Sequence, residues 1–465
     1  MSTLAARKNV ELQEKLASLQ SDFAAWSALA ESENATLRLH KSQIEKLTRT
    51  LGRLASDFKH ALPAAVPSEV EDETFLGQAR NVENMILALL SIWAFFRKKL
   101  AQRLEPGFGR FLDAADELAW TCYEPALMAA GIAATEPPLV FLNGARSPFM
   151  VARDDAYVPE DLPPRFLALD DFRGIVSHLP VPVIGLPWAQ VGHLPDILTV
   201  AHEAGHVVED DLNLADELDG VIKGLVSESR REQWLDWRGE IFADLWACAA
   251  LGPAFVSTLC DFLAADPLRS AEEDGGQKSY PPPDLRVWLN LEALRLADFE
   301  PKTAGPLQTL TALWPTAAAQ DETEAAAVVH GLLKTSLAGL GNKCVHDIFG
   351  PFRPNDFGTA EEAFYALKGG QLDLRTRNVR VIFAGVRQGY DENPGNWRGS
   401  GIAERLLARF DRNISAGSLL GTGFRGVKNL PPSNMTEAKI AERMIEAIRR
   451  LIPKGRVIRN GTVLD

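Results

Sequence analysis

The 465-residue chain is 46% hydrophobic and 24% charged, an ordinary globular composition with material for roughly three domains, or for one enzyme with additions. Its net charge of −13 argues against nucleic acid or an anionic membrane as the main partner, since both are usually met by a basic surface. Cys122, Cys248, Cys260 and Cys344 lie far apart with no C-x-x-C pairing, which suits reduced, buried thiols in a cytoplasmic protein better than a disulfide framework.

Residues 1–62 hold no proline, and Leu12, Leu16, Leu19, Phe23 and Trp26 alternate by four and three. The same phase reaches Ala30, Leu37, Ile44, Leu47, Leu51, Leu54 and Phe58, and fails at Glu33 and His40. Such a stripe reads as a coiled-coil seam, open to self-association or a partner protein, or as a long helix packed back on its own domain. The start is polar and lacks a signal peptide's apolar stretch. "ALPAAVPSEVEDE" then breaks the helix and reads as a linker. A helical region is expected over 63–135. Its apolar run Met85–Phe96 is shorter than the about twenty residues a bilayer needs, so a buried helix is expected and no membrane span.

Over 136–300 the character changes. "PPLVFLNG", "PFMVARDD" and "VPVIGLPW" read as short strands, and a helix is expected to start near Leu194, with Pro195 and Asp196 in its first turn. That helix carries "TVAHEAGHVVEDDL". His202 and His206, four apart, share one face and can point at one metal ion, with Glu203 alongside. Chance agreement with H-E-x-x-H in a chain this long is on the order of 1%. The extension to a third histidine fails, because Glu209 and Leu212 occupy the required glycine and histidine positions; a metzincin is not expected. Glu209, Asp210 and Asp211 read as surface charges, and His193 as structural or at a rim.

Downstream, "WRGEIFADLWACAALGPAF" sets Glu240 and Asp244 on one helix face. A catalytic zinc takes three protein ligands and leaves one position open, which His202, His206 and Glu240 would supply. Asp244 could hold a ligand histidine through its other ring nitrogen. H-E-x-x-H followed by E-x-x-x-D resembles the gluzincin zinc metallopeptidases. The form with Glu240, Ala243, Asp244 and Ala247 looks most like the CAAX-prenyl-peptidase branch. In "YPPPDLR" a proline and Arg286 match that branch, while Tyr280 stands where it carries a histidine. The likeness covers about 180–290, and the branch's membrane helices have no counterpart.

The resemblance implies an α+β, predominantly helical fold: a zincin core with a small mixed sheet and a two-helix site for one zinc ion. It also implies hydrolysis of a peptide bond in a protein or peptide substrate, with Glu203 as general base. Cobalt or manganese can often substitute in such a site. For a donor to the developing oxyanion the sequence offers Tyr280, His330, His346, Arg387 and Tyr390 without choosing. "FAGVRQGYDENPGNW", around Tyr390, reads as a surface loop, with approach to a cleft as the alternative. "ADPLRSAEEDGGQKSYPPPD" is a candidate gate.

Residues 301–465 read as mainly helical, with helices at 322–338, 359–368, 401–411 and 435–452. A hairpin is expected at Asn460–Gly461. The alternative to a peptidase is a coiled-coil regulatory protein, or one tied to defence or stress. Its zinc site would be structural, sensing or only conditionally proteolytic. The intact Glu203 argues against a purely structural site, which has no use for that base.

Overall fold

A computed structural model describes residues 3–31, 37, 40–63, 72–132, 136–152, 181–264, 280–299, 322–350, 352–415, 458–459 and 462–463. These residues are predominantly helical with a small three-stranded mixed sheet. Their contacts divide them into two units. One draws on Met1–Leu104, Val151–Pro182 and Pro431–Asp465, the other on Glu105–Met150 and Val183–Leu430.

In the first unit, α1 (Leu4–Glu31) packs along α2 (Lys41–Ala61) and α3 (Asp72–Ala101). The 4–3 stripe is what it buries. Leu12, Leu16, Leu19, Phe23, Trp26 and Ala30 of α1 are buried, as are Ile44, Leu47, Leu51, Leu54 and Phe58 of α2. Trp93 of α3 sits edge-on to Phe23 at 5.0 Å and to Trp26 at 6.0 Å, and its indole N–H donates to Asp22. Of the two readings of the stripe, the helix folded back on its own chain is the one observed. Each such leucine gives about 1.5–3 kcal/mol of burial. His40, where the phase breaks, is buried with its polarity answered: Nδ1 lies 2.6 Å from Gln43 Oε1, and Arg103 Nε donates to Nε2 at 2.6 Å.

The run Met85–Phe96 lies inside α3 with most of its apolar side chains buried. Among the described residues no helix is long and apolar enough to cross a membrane. The closing strands β4 (Ile458–Arg459) and β5 (Thr462–Val463) pair antiparallel around positions 460 and 461, the register expected of an Asn-Gly hairpin. Most of the expected linker, most of the candidate gate and the helix expected at 435–452 lie outside the described residues.

The second unit begins with α4 (Pro106–Ala130), which ends on Gly131 at φ +66°, a left-handed cap that glycine adopts without a Cβ clash. Strands β1 (Leu139–Asn143), β2 (Phe149–Val151) and β3 (Val183–Pro187) form the sheet in the order β1-β3-β2. β1 and β3 run parallel, from Leu139↔Val183 to Asn143↔Pro187. β3 is buried along its whole length, as the continuous apolar run of a covered strand requires.

A 3-10 turn over Leu194–Leu198 absorbs Pro195 and leads into α5 (Thr199–Asp211), so the α-helix proper starts later than the sequence suggested. α4 packs against both α5 and β1. Tyr123 donates to Asp211 on α5, and Trp246 Nε1 donates to the Cys122 carbonyl at 3.0 Å. By its contacts α4 belongs to the second unit, which takes in Glu105–Met150. All four cysteines are free and buried.

After α5 come α6 (Ala215–Lys223), α7 (Arg231–Asp236), α8 (Arg238–Leu251), α9 (Pro253–Ala264) and α10 (Pro283–Leu296). Then follow α11 (Glu322–Lys334), α12 (Val345–Phe349), α13 (Pro354–Lys368), α14 (Val379–Glu392), α15 (Trp397–Ser400) and α16 (Ile402–Ser415). α11, α13 and α16 answer three of the expected C-terminal helices.

α14 corrects a reading. The segment containing "FAGVRQGYDE" is not a surface loop but a largely buried helix, capped by Asn378 Oδ1 accepting from Arg380 N at 3.1 Å. Gly385 and Gly389 are where α14 presses on α13. A Cβ on either would strike the Ala360 carbonyl or the Phe364 ring.

Candidate metal centre

α5 and α8 pack closely because of a glycine inside the H-E-x-x-H motif. A Cβ on Gly205 would lie 2.9 Å from Ala243 Cα and 3.1 Å from Trp246 Cβ, so only a hydrogen fits between the helices. That contact carries the histidine pair to the acidic face of α8. His202 Nε2 and His206 Nε2 are 3.2 Å apart; the first lies 3.4 Å from Glu240 Oε2 and the second 3.4 Å from Glu240 Oε1. Donors bound tetrahedrally to one zinc at its usual bond lengths stand about 3.3 Å from one another. The three side chains are 13%, 20% and 15% exposed, so the cluster is sheltered yet reachable from solvent.

Behind the cluster, His202 Nδ1 is 2.8 Å from Asp244 Oδ1. Asp244 also accepts two hydrogen bonds from Arg286 on α10, from Nε and Nη2, both at 2.8 Å. Arg286 Nη2 is 3.3 Å from Glu240 Oε2. The Phe255 ring lies parallel to the His202 imidazole with centroids 6.5 Å apart, an apolar wall on one side.

Burial opposes the charge on Glu240, but the two imidazoles and Arg286 outweigh it and hold the carboxyl well below its usual range. Asp244 is lowered too, because Arg286 and His202 more than offset its burial. Burial also opposes a proton on His202, yet Asp244 and Glu240 raise it to about 10. His206 is raised, with Glu240 overcoming burial. Burial pushes Glu203 up, and the neighbouring histidines only partly counter it.

These residues fit a divalent ion. With imidazoles neutral, the carboxylates of Glu203, Glu240 and Asp244 against one guanidinium leave two negative charges, which a dication balances. Two histidine nitrogens and a carboxylate are a zinc donor set. Without an ion, the excess charge is answered by protons on the histidines.

Of the candidate oxyanion donors, Tyr280 is tied to this cluster. It is 47% exposed, and the Arg286 guanidinium carbon stands 6.0 Å from its ring centroid. Tyr390 belongs to another group: its ring meets His193 at 4.7 Å and Trp397 at 6.0 Å, with Arg387 over its face. Arg387 is buried and held by Ser257, Asp261 and Asp391, and His193 pairs with Asp196 at 3.5 Å. His346 is buried, driven down to about 4 by that burial, and His330 is exposed. Among the described residues, His330, His346, Arg387 and Tyr390 make no hydrogen bond, ion pair or ring contact with the histidine pair.

Two site residues escaped the sequence reading. Arg286 is marked in the sequence only by a faint echo, although its guanidinium touches both acidic members. Glu209, expected at the surface, is buried and accepts from Arg238 Nε at 2.8 Å. The available signal was Arg238 itself, two residues before Glu240. Searches with the chain and its structure found no matching family, curated protein or solved structure.

Proposed function

We propose that this protein is a zinc-dependent metallopeptidase of gluzincin type, built on a zincin core and hydrolysing peptide bonds in a protein or peptide substrate. The observation that carries the reading is the convergence of the two histidine Nε2 atoms, 3.2 Å apart, on the Glu240 carboxylate, a different oxygen of which stands 3.4 Å from each. It is supported by Glu203 lying buried beside the histidines on the same helix.

His202, His206 and Glu240 would hold the ion, which when bound supplies Lewis acidity and a lowered water pKa. Asp244 fixes the His202 ring by facing Nδ1, so that Nε2 stays turned toward Glu240. Arg286 keeps Asp244 and Glu240 ionised and oriented. Glu203, whose proton affinity is raised by burial, accepts a proton from the attacking water and hands it to the leaving amine. Tyr280, exposed beside Arg286, is the phenol best placed to donate to the developing oxyanion. The peptidase reading is preferred to the regulator because a purely structural zinc site has no use for Glu203; the apolar stripe packs within the chain.

The test is Glu203→Gln. It is expected to bind one zinc per chain as the wild type does, while losing at least about a hundredfold in turnover of a peptide library. Equal cleavage by both proteins would refute the mechanism.

A further inference from the structure

The two ligand histidines differ in their backing. His202 has Asp244 behind its outward nitrogen. His206 has its Nε2 toward Glu240, leaving Nδ1 turned toward the start of α8. Two side chains and a gap meet there. Glu209, one turn after His206, is buried, and Arg238 fixes its Oε1 at 2.8 Å. Arg238 is itself tied to Asp219 by Nη1 at 2.7 Å, so the guanidinium is held from both sides. Gly239 supplies the gap. A Cβ there would stand 3.3 Å from Glu209 Oε2 and 3.9 Å from His206 Nδ1, so both atoms face the same small space.

We propose that Glu209 is the positioning residue for His206, holding its Nδ1–H through a water seated above Gly239, with Arg238 fixing the carboxylate. This rests on the metal-site reading and extends it. A direct bond is not the observed arrangement, and a bridging water costs little beside one. The partner matters because an acceptor behind a ligand imidazole fixes its tautomer and orientation, and losing it typically weakens metal binding 10–100-fold. Arg238 keeps Asp219 when Glu209 is neutralised, so the fold retains its clamp.

The experiment measures zinc affinity by chelator competition, and cobalt absorption spectra, for the full-length wild type, Glu209→Gln and Gly239→Ala. Thermal midpoints of the metal-free proteins are recorded alongside. The expected result is affinity lowered at least about tenfold in both variants, with altered cobalt bands and metal-free midpoints near the wild type's. Gly239→Ala leaves every charge in place and tests the gap itself. Affinity and cobalt spectra matching the wild type in both variants overturn the proposal, even if the midpoints fall, because that is a purely structural role. A wild type that takes up no zinc overturns the underlying metal site instead.

Discussion

Asp244 grips Arg286 with both carboxylate oxygens at 2.8 Å while its Oδ1 stands 2.8 Å from His202 Nδ1. One buried carboxylate therefore joins α10 to α5, the helix that carries the histidine pair. Removing the guanidinium takes a two-pronged partner from buried Asp244 and a cation from beside Glu240, leaving the histidine protons alone to answer them, so Arg286→Met is expected to cost about 3–5 kcal/mol in the metal-free protein. Zinc should recover part of that loss by supplying positive charge, and Arg286→Lys should fall between, keeping charge but not the fork. Urea denaturation with and without zinc reads all three.

The histidine protonation sets a pH dependence. The His202 proton is held to about 10 in the folded, metal-free state, above the ordinary histidine range. The stability this contributes is full below about pH 6.5 and is lost as pH rises toward about 10, on the order of a few kcal/mol. The metal-free protein should therefore weaken steadily over that window, and the zinc-loaded one should not. Zinc affinity should rise with pH over the same range, because binding displaces the proton. Thermal midpoints and chelator competition at several pH values check both trends.

Gly205→Ala tests the contact between α5 and α8. The added methyl meets Ala243 backbone at 2.9 Å, and relief requires the helices to part. About 1–3 kcal/mol of stability should go. Zinc affinity should fall with it, because His206 and Glu240 ride on the separated helices. Unchanged affinity in a destabilised Gly205→Ala would mean the cluster tolerates that movement.

Leu16→Ala opens a cavity under the N-terminal stripe and is expected to cost about 2–5 kcal/mol. Because Leu16 is buried within one chain, the denaturation midpoint should be the same at protein concentrations a hundredfold apart. A midpoint that climbs with concentration would show the stripe to be shared between chains.

Much of this organisation could be read directly from periodicity and spacing. The 4–3 stripe marked the buried face of α1 and α2, and H-E-x-x-H with E-x-x-x-D marked the helix faces that converge. The segment around Gly385 and Gly389 was not legible as a buried helix, because sequence does not distinguish a Gly-containing loop from two helices pressed together. Charge misled at Glu209, since a carboxylate near two others reads as solvated until its arginine, distant in sequence, is found beside it. Arg286 was weakly marked because its partners are brought to it only by packing of α10 on α8.

Gly205 has one more consequence. Where two helices touch at a hydrogen, the distance from the histidine pair to Glu240 is set by main chain, which yields far less readily than a rotamer. The aperture is therefore a calibre. An ion of calcium's size, needing oxygen ligands at about 2.3–2.6 Å and more of them, would have to pry backbone from backbone to enter. An ion of zinc's radius would meet no such penalty, so selection between them would begin with a missing methyl group.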